Sequence, residues 1–326
     1  MTHVKDILVP VDVHENAAPV VQWAACLATM TKSRLTLLHV NESLELVKAR
    51  PGLHGAGIPG LDVTVEKWRR EYRQSARQVL DQLAQHCGEL SVSLLQLEGR
   101  APATILGAID ATPSQLVVMG THGRPWYQRA FLGSTAEAVL RASPVPLLIV
   151  HNQDTRLPEP RFECVLWASD FSAAAESGQA WLQYLMEHGP KKGVLVHAIE
   201  NPLLDEYEPD QAKVDIQQIM AEARDHPPRS AQPYWQHARE VAERKLREIR
   251  QQLLGPPVSA MQVHVVVEEG GAAQTVVEVA ERQQVDVIIM ATHGRTGVRR
   301  FVVGSVTEKV LRTSPCPILA VPSKPR

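Results

Sequence analysis

The sequence predicts an α/β fold of two tandem doubly wound parallel-sheet domains, and three features of the chain point to it. A glycine-bearing segment occurs twice: Gly120-Thr121-His122-Gly123, nine residues, then Gly133-Ser134, and later Ala291-Thr292-His293-Gly294, nine residues, then Gly304-Ser305. Both anchors are displaced by the same 171 residues (123 to 294, 133 to 304), so two copies of one unit lie in register. Each copy follows a short β-branched apolar run, Leu116–Met119 or Val287–Met290, as expected for a strand buried on both faces. Strand and helix patterns also alternate along the whole chain, which requires parallel pairing with helices over both faces.

In the first half, Ile7–Val11 reads as a strand ending in Asp12. A helix follows from about Pro19 to Thr31, with Val20, Val21, Ala24 and Leu27 on one face. Leu35–Val40 is the second strand. Residues 41–61 hold Pro51, Gly52, Gly55, Gly57, Pro59 and Gly60, the composition of a loop. A long helix over Val63–Cys87 leads to a third strand, Val92–Leu97. Gly99-Arg100-Ala101-Pro102 opens a helix through Ala111, proline being tolerated in a first turn. Leu116–Met119 is the fourth strand, and Val145–Val150, after the glycine segment and its helix, is the fifth.

The second half repeats this order as Cys164–Ala168, a helix from about Ala173 to Glu187, Val194–Ile199, and Met261–Val267 after a longer insert. Asp12 corresponds to Asp170 and His39 to His197 at an offset of 158, whereas everything after the third strand corresponds at 171. Thirteen extra residues therefore lie between the second and third strands of the second half, within 200–257. That insert reads as an acidic loop, a helix near 211–224, the breaker Asp225-His226-Pro227-Pro228 and a charged helix near 234–254. The link Asn152–Pro160 has two prolines and no apolar periodicity, so the expected domains are 1–155 and 156–326.

A chain of 326 residues with 44% hydrophobic and 21% charged residues is an ordinary globular protein of about two domains. A formal charge of −2 supplies no drive toward nucleic acid or an anionic membrane. Lys5, Asp6, Pro10 and Asp12 interrupt the first apolar run, against a signal peptide, and no run approaches membrane-spanning length. Cys26, Cys87, Cys164 and Cys316 form no C-x-x-C pair and no metal-ligand spacing, so reduced thiols in a cytoplasmic protein are expected, with no disulfide framework or structural metal.

In an open sheet of this kind, ligands bind outside the carboxyl ends of the strands where the winding direction reverses. Those ends carry Asp12, Val40, Gly99 and Gly120 in one half, and Asp170, Ala198, Gly270 and Ala291 in the other. Gly133-Ser134 and Gly304-Ser305 stand where a helix begins, and its unpaired N–H groups and partial positive charge favour an anion such as phosphate. The same residues also admit a ligand-free turn: Ser134-x-x-Glu137 and Ser305-x-x-Glu308 are capping-box patterns. Arg124, Arg129, Arg295, Arg299 and Arg300 either neutralise phosphate or form a solvated face. His122 and His293 invite a proton-transfer role or a turn-capping one, while His39 and His197 read as core or rim histidines. No G-x-x-x-x-G-K-[ST] occurs, and one carboxylate per half is a thin catalytic set, so binding is favoured over turnover, with a slow ATPase as the upper limit.

Taken together, the intact Gly120, Gly123, Gly133, Ser134 pattern, the first-strand endings Val9-Pro10-Val11-Asp12 and Trp167-Ala168-Ser169-Asp170, and the closing Pro144-Val145-Pro146 and Pro315-Cys316-Pro317 resemble a tandem universal stress protein. The resemblance covers nearly the whole chain. It implies two Rossmann-like, adenine nucleotide alpha hydrolase-like domains that bind ATP or another adenine nucleotide, with or without magnesium. By resemblance Asp12 and Val40 meet the adenine and ribose, Val40 through its backbone, Gly120, Gly123, Gly133, Ser134 and Thr135 cradle the phosphates, and Met119 belongs to the same cofactor-binding set. The second-half set is Asp170, Ala198, Met290, Ala291, Gly294, Gly304, Ser305 and Val306.

Ala291 departs from the pattern. If a left-handed backbone is needed there, alanine costs about 1–2 kcal/mol; if only close approach is needed, its methyl intrudes, and either way the second site is expected to be the weaker. Asp170-Phe171-Ser172, conversely, is closer to the family's usual strand ending than Asp12-Val13-His14. The implied role is a stress-response regulator whose nucleotide-dependent conformation is read by an unidentified protein partner. The halves are expected to pack as an internal pseudo-dimer through the last strands, with a homodimer left open. The alternative is a ligand-free interaction or chaperone-like scaffold of the same fold, with the insert recognising a partner.

Overall fold

The apolar runs named above pair in parallel in a computed structural model of the protein, which describes residues 4–42, 61–121, 132–151, 160–200, 231–253, 262–294 and 303–323. The chain divides into two units, Met1–Arg161 with Pro317–Pro322, and Phe162–Cys316 with Ser323–Arg326. The first runs β1 (Asp6–Pro10), α1 (Ala18–Thr31), β2 (Arg34–Asn41), α2 (Leu61–Ala84) with a 3-10 turn at Gln85–Cys87, β3 (Val92–Glu98), α3 (Ala101–Ala111), β4 (Leu116–Thr121), α4 (Ser134–Ala142) and β5 (Leu147–His151). Its strands lie in the order β3-β2-β1-β4-β5, all parallel. The chain winds outward from β1 through β2 to β3, then crosses to β4 and winds the other way.

The second unit runs β6 (Cys164–Ala168), α5 (Ala173–Met186), β7 (Lys192–Ile199), α6 (Ala231–Leu253), β8 (Gln262–Glu269), α7 (Ala272–Arg282), β9 (Val287–Ala291) and α8 (Ser305–Thr313). Its parallel order is β9-β6-β7-β8. The final strand, β10 (Ile318–Val321), lies in the first unit, antiparallel to β5 with Leu319 opposite Leu148.

The β-branched and leucine-rich runs become central strands because both faces are covered. Ile7, Leu8, Leu37, Leu38, Val117 and Val118 are fully buried, as are Val165, Leu166, Ile288 and Ile289. Burial of each such side chain contributes about 1.5–3 kcal/mol. α1 turns Val20, Val21, Trp23, Ala24 and Leu27 inward, the i, i+3, i+4, i+7 spacing of one helix face. It ends at Lys32 in a left-handed conformation, φ 57°.

Two side-chain acceptors, one half-buried and one buried, fix the central strands. Gln115 Oε1 accepts the N–H groups of Lys5 (2.8 Å) and Asp6 (3.0 Å), tying the entry of β1 to that of β4. At the same repeat position, Asp286 Oδ2 accepts those of Glu163 (2.9 Å) and Cys164 (2.8 Å), and Asp286 is only 2% exposed. After β3 and β8 the chain turns through Gly99 (φ +144°) and Gly270 (φ +146°). A Cβ on Gly99 would lie 2.5 Å from Thr104 Oγ1, so only glycine serves there.

Strand β4 is longer than the sequence pattern suggested, carrying Gly120 and Thr121 into the sheet opposite Val150 and His151. The charged helix of the insert is α6, while the expected helix near 211–224, the 225–228 breaker and the link 152–159 lie outside the described residues. No described helix is long and apolar enough to cross a membrane. The four cysteines are free; burial pushes the Cys87 and Cys164 thiols up to about 11 and Cys316 to about 12.

Removing the Asp286 carboxylate strands two backbone N–H groups at the start of β6. Asp286→Ala is expected to cost about 2–3 kcal/mol, seen as an earlier urea transition of the second unit, with Asp286→Asn losing less. An Asp286→Ala curve superimposed on that of the native chain contradicts this assignment.

Candidate functional site

In each unit the winding reverses between the carboxyl ends of β1 and β4 or of β6 and β9, the place where a sheet of this kind leaves a crevice. In the first, Val11 N–H donates to Leu38 O (2.8 Å), and the exposed Asp12 follows, its Oδ1 accepting the His14 N–H (2.9 Å). This turn holds the carboxylate at the strand end. Val40 is half-buried in β2 opposite Leu97. Beside it, His39 is buried and its Nδ1 lies 3.0 Å from Val11 O, an acceptor, so Nδ1 carries the proton. The Tyr72 hydroxyl of α2 then donates to His39 Nε2 (3.4 Å) and accepts from His14 Nε2 (2.8 Å). Desolvation lowers the His39 pKa, against the opposing pull of the Val11 carbonyl and Asp12.

On the β4 side, Met119 is buried and Gly120 is paired in the strand. Gly123 lies outside the described residues, as do His122, Arg124 and Arg129. Gly133 is buried as the N-cap of α4, its carbonyl accepting the Glu137 N–H (2.8 Å); Ser134 is exposed and Thr135 half-buried in the first turn.

In the second crevice, Asp170 Oδ1 accepts the Ser172 N–H (2.9 Å), and Ser172 Oγ caps α5 by accepting the Ala175 N–H (3.3 Å). Asp170 Oδ2 faces the glycine segment, 3.0 Å from where a Cβ on Gly294 would stand. Gly304 N–H donates to Thr292 O (2.8 Å) and Thr307 Oγ1 donates to Ala291 O (2.8 Å), fastening the start of α8 to the end of β9. Thr292 Oγ1 lies 2.9 Å from His293 Nδ1, while His293 Nε2 is buried with no partner among the described residues. Met290 is buried, Ala198 and Val306 are half-buried and Ser305 is exposed; Arg295, Arg299 and Arg300 are outside the described residues. Phe171, at φ +62°, places its ring 4.4 Å from that of His197, with Lys245 Nζ 5.2 Å from the ring centre. His197 Nδ1 donates to Ser169 O (2.8 Å), matching His39.

Two expectations are corrected. Ala291 ends strand β9 and is not among the residues of positive φ, so it carries no left-handed strain; the two copies differ there by a methyl group alone. The capping boxes do not form. Gly133 and Gly304 are the N-caps, without a side-chain cap bond, and Ser134 and Ser305 are the first helical residues. Glu137 instead pairs with Arg141 (2.5 Å) and Glu308 with Arg312, one turn onward, leaving both helix starts uncapped by side chains. Tyr72 and Lys245 were missed because nothing in strand spacing announces which helix residues reach the strand ends. Among the described residues no cluster of three His, Cys, Asp or Glu side chains could hold a metal ion.

Comparison with known proteins gives a consistent picture. The family model described as the universal stress protein family matches residues 3–151 and 166–322. The chain is 27% identical over 318 residues to a universal stress protein of Mycolicibacterium smegmatis, covering 97% of this chain and 96% of that one. It is 24% identical over 322 residues to one of Mycobacterium tuberculosis, covering 96% and 95%. Among solved structures, a universal stress protein from Archaeoglobus fulgidus aligns over 97% of this chain and 96% of its own at 20% identity, TM-score 0.60. That likeness concerns the fold.

The buried His39 makes the first unit acid-sensitive. Its folded pKa lies below the ordinary histidine value of about 6.5, so on acidification the unfolded chain takes up a proton before the folded one does. Stability is therefore retained above that value and falls as the pH drops toward His39's own pKa. Denaturation curves between about pH 7 and about pH 5 should show this decline, and His39→Gln should flatten it; an unchanged slope would contradict the role given to His39.

Proposed function

As the chain belongs to the universal stress protein family, we propose that its crevices bind adenine nucleotide, ATP foremost, and that the protein is a cytoplasmic stress-response regulator whose surface changes with the bound nucleotide. The observation that carries this reading is the second crevice: the Asp170 carboxylate, the bare backbone of Gly294 and the uncapped first turn of α8 meet at one strand edge. A carboxylate repels phosphate and accepts from hydroxyls, so Asp170 takes the ribose side. Phosphates then fall to the amides of Gly294, Ser305 and Val306, where the helix start favours negative charge. Asp12, Val40, Met119, Gly120, Gly123, Gly133, Ser134 and Thr135 take the matching roles in the first half, and Ala198, Met290, Ala291 and Gly304 complete the second.

Absence of a Cβ is what admits the ligand. At Gly294 a Cβ would already stand in tight contact with the carboxylate, 3.0 Å from Asp170 Oδ2, and a bulkier substituent would project further into the proposed ligand space. Magnesium accompanying the nucleotide would draw its ligands from phosphate, water and the strand-end aspartate, in keeping with an ion that retains several waters. Regulation follows if nucleotide binds two surface states with different affinity, since only a differential affinity moves such an equilibrium.

Calorimetric titration of the native chain with ATP is expected to show two sites, and Gly294→Val one, with the circular dichroism unchanged. No heat of binding at millimolar ATP removes the nucleotide reading, and a Gly294→Val variant that still fills both sites removes the role of the second glycine segment.

A further inference from the structure

We propose that Trp68 is the stacking platform for the purine base in the first crevice, an inference that rests on the nucleotide reading above. Trp68 is 71% exposed, the one large hydrophobic side chain among the described residues left in solvent. Its place on α2 gives that exposure a purpose. β2 and β3 are parallel, so α2 between them must run back from the carboxyl edge of the sheet toward the amino edge.

Three contacts set the height of the helix. The Tyr72 hydroxyl touches His14 and His39 at the ends of β1 and β2, the Arg73 guanidinium pairs with Glu98 at the end of β3, and Gln96 Nε2 donates to Arg73 O (3.1 Å). Residues 72 and 73 are therefore level with the carboxyl ends of the strands. Trp68 is one turn earlier on the same helix face, about 6 Å further out along the axis, and helical side chains lean toward the helix N-terminus. The indole accordingly overhangs the space outside the strand ends, on the β2 side that borders Asp12 and Val40.

A fused bicyclic ring on an accessible helix turn offers a π-face that any purine can cover. In the second crevice the Phe171 ring is already covered by His197 and Lys245.

The test titrates the full chain with ATP and, separately, with inorganic tripolyphosphate, following tryptophan emission and heat. ATP is expected to quench a component of the emission that is missing from Trp68→Phe. Trp68→Ala should bind ATP at the first crevice roughly tenfold or more weakly, and Trp68→Phe within about threefold of the native chain. Tripolyphosphate, which has no base, should bind all three alike. Native ATP affinity at both sites in Trp68→Ala overturns the inference and leaves the nucleotide reading standing, as does a loss that is equal for tripolyphosphate. Trp68→Ala that changes only the oligomeric state overturns it in favour of a protein contact, and a native chain that binds no ATP removes both readings.

Discussion

Everything at the strand ends depends on one pairing repeated in each unit: β1 beside β4 in the first, β6 beside β9 in the second, parallel, with the chain leaving the pair in opposite directions. Helices that cross from one side cannot cover the gap left by those that cross from the other. The pairing is enforced from inside by apolar burial along the strands and at their amino ends by Gln115 and Asp286, which satisfy the N–H groups opening β1 and β6. At Asp286, which is buried, an amide donor left without an acceptor costs enough to make a single side chain matter. Function at the carboxyl edge is thus supported by hydrogen bonding at the amino edge.

Much of this architecture was legible because its signals are local. The order of elements follows from runs such as Leu116–Met119 and Val287–Met290, and the tandem organisation from an offset that stays constant between anchors. Misreadings arose where a residue type has two local uses. Ser134 and Ser305 look like caps, but the preceding glycines take that place and the glutamates turn to Arg141 and Arg312. Ala291 left a left-handed backbone and a mere close approach both open, and the strand, running one residue further, holds it extended. Tyr72, Lys245 and Trp68 were invisible for a different reason: how far a helix slides along a sheet is decided by tertiary packing, which no spacing encodes.

The two halves keep the same frame and line it differently. In the first, a tyrosine hydroxyl joins two imidazoles, a polar wall that can exchange protons with solvent. In the second, the same corner is built from Phe171, His197 and Lys245. Holding Phe171 in the left-handed region costs about 1–2 kcal/mol, which a cation over its ring, worth about 0.5–1 kcal/mol, offsets in part. Two copies of one unit have therefore diverged at the wall and been conserved in their hydrogen-bonded histidines, His39 and His197, each tied to the carbonyl of a residue on the first strand's end.

Strand β10 belongs by sequence to the second repeat and by contact to the first unit, where it covers β5. A fragment ending after His151 would retain five parallel strands but bare the backbone of Leu147–Ile149, a flat apolar margin of the sort that recruits foreign strands. The stretch that repeats in sequence is consequently not the stretch that closes as one contact unit, and β10 acts as a clasp on the opening half.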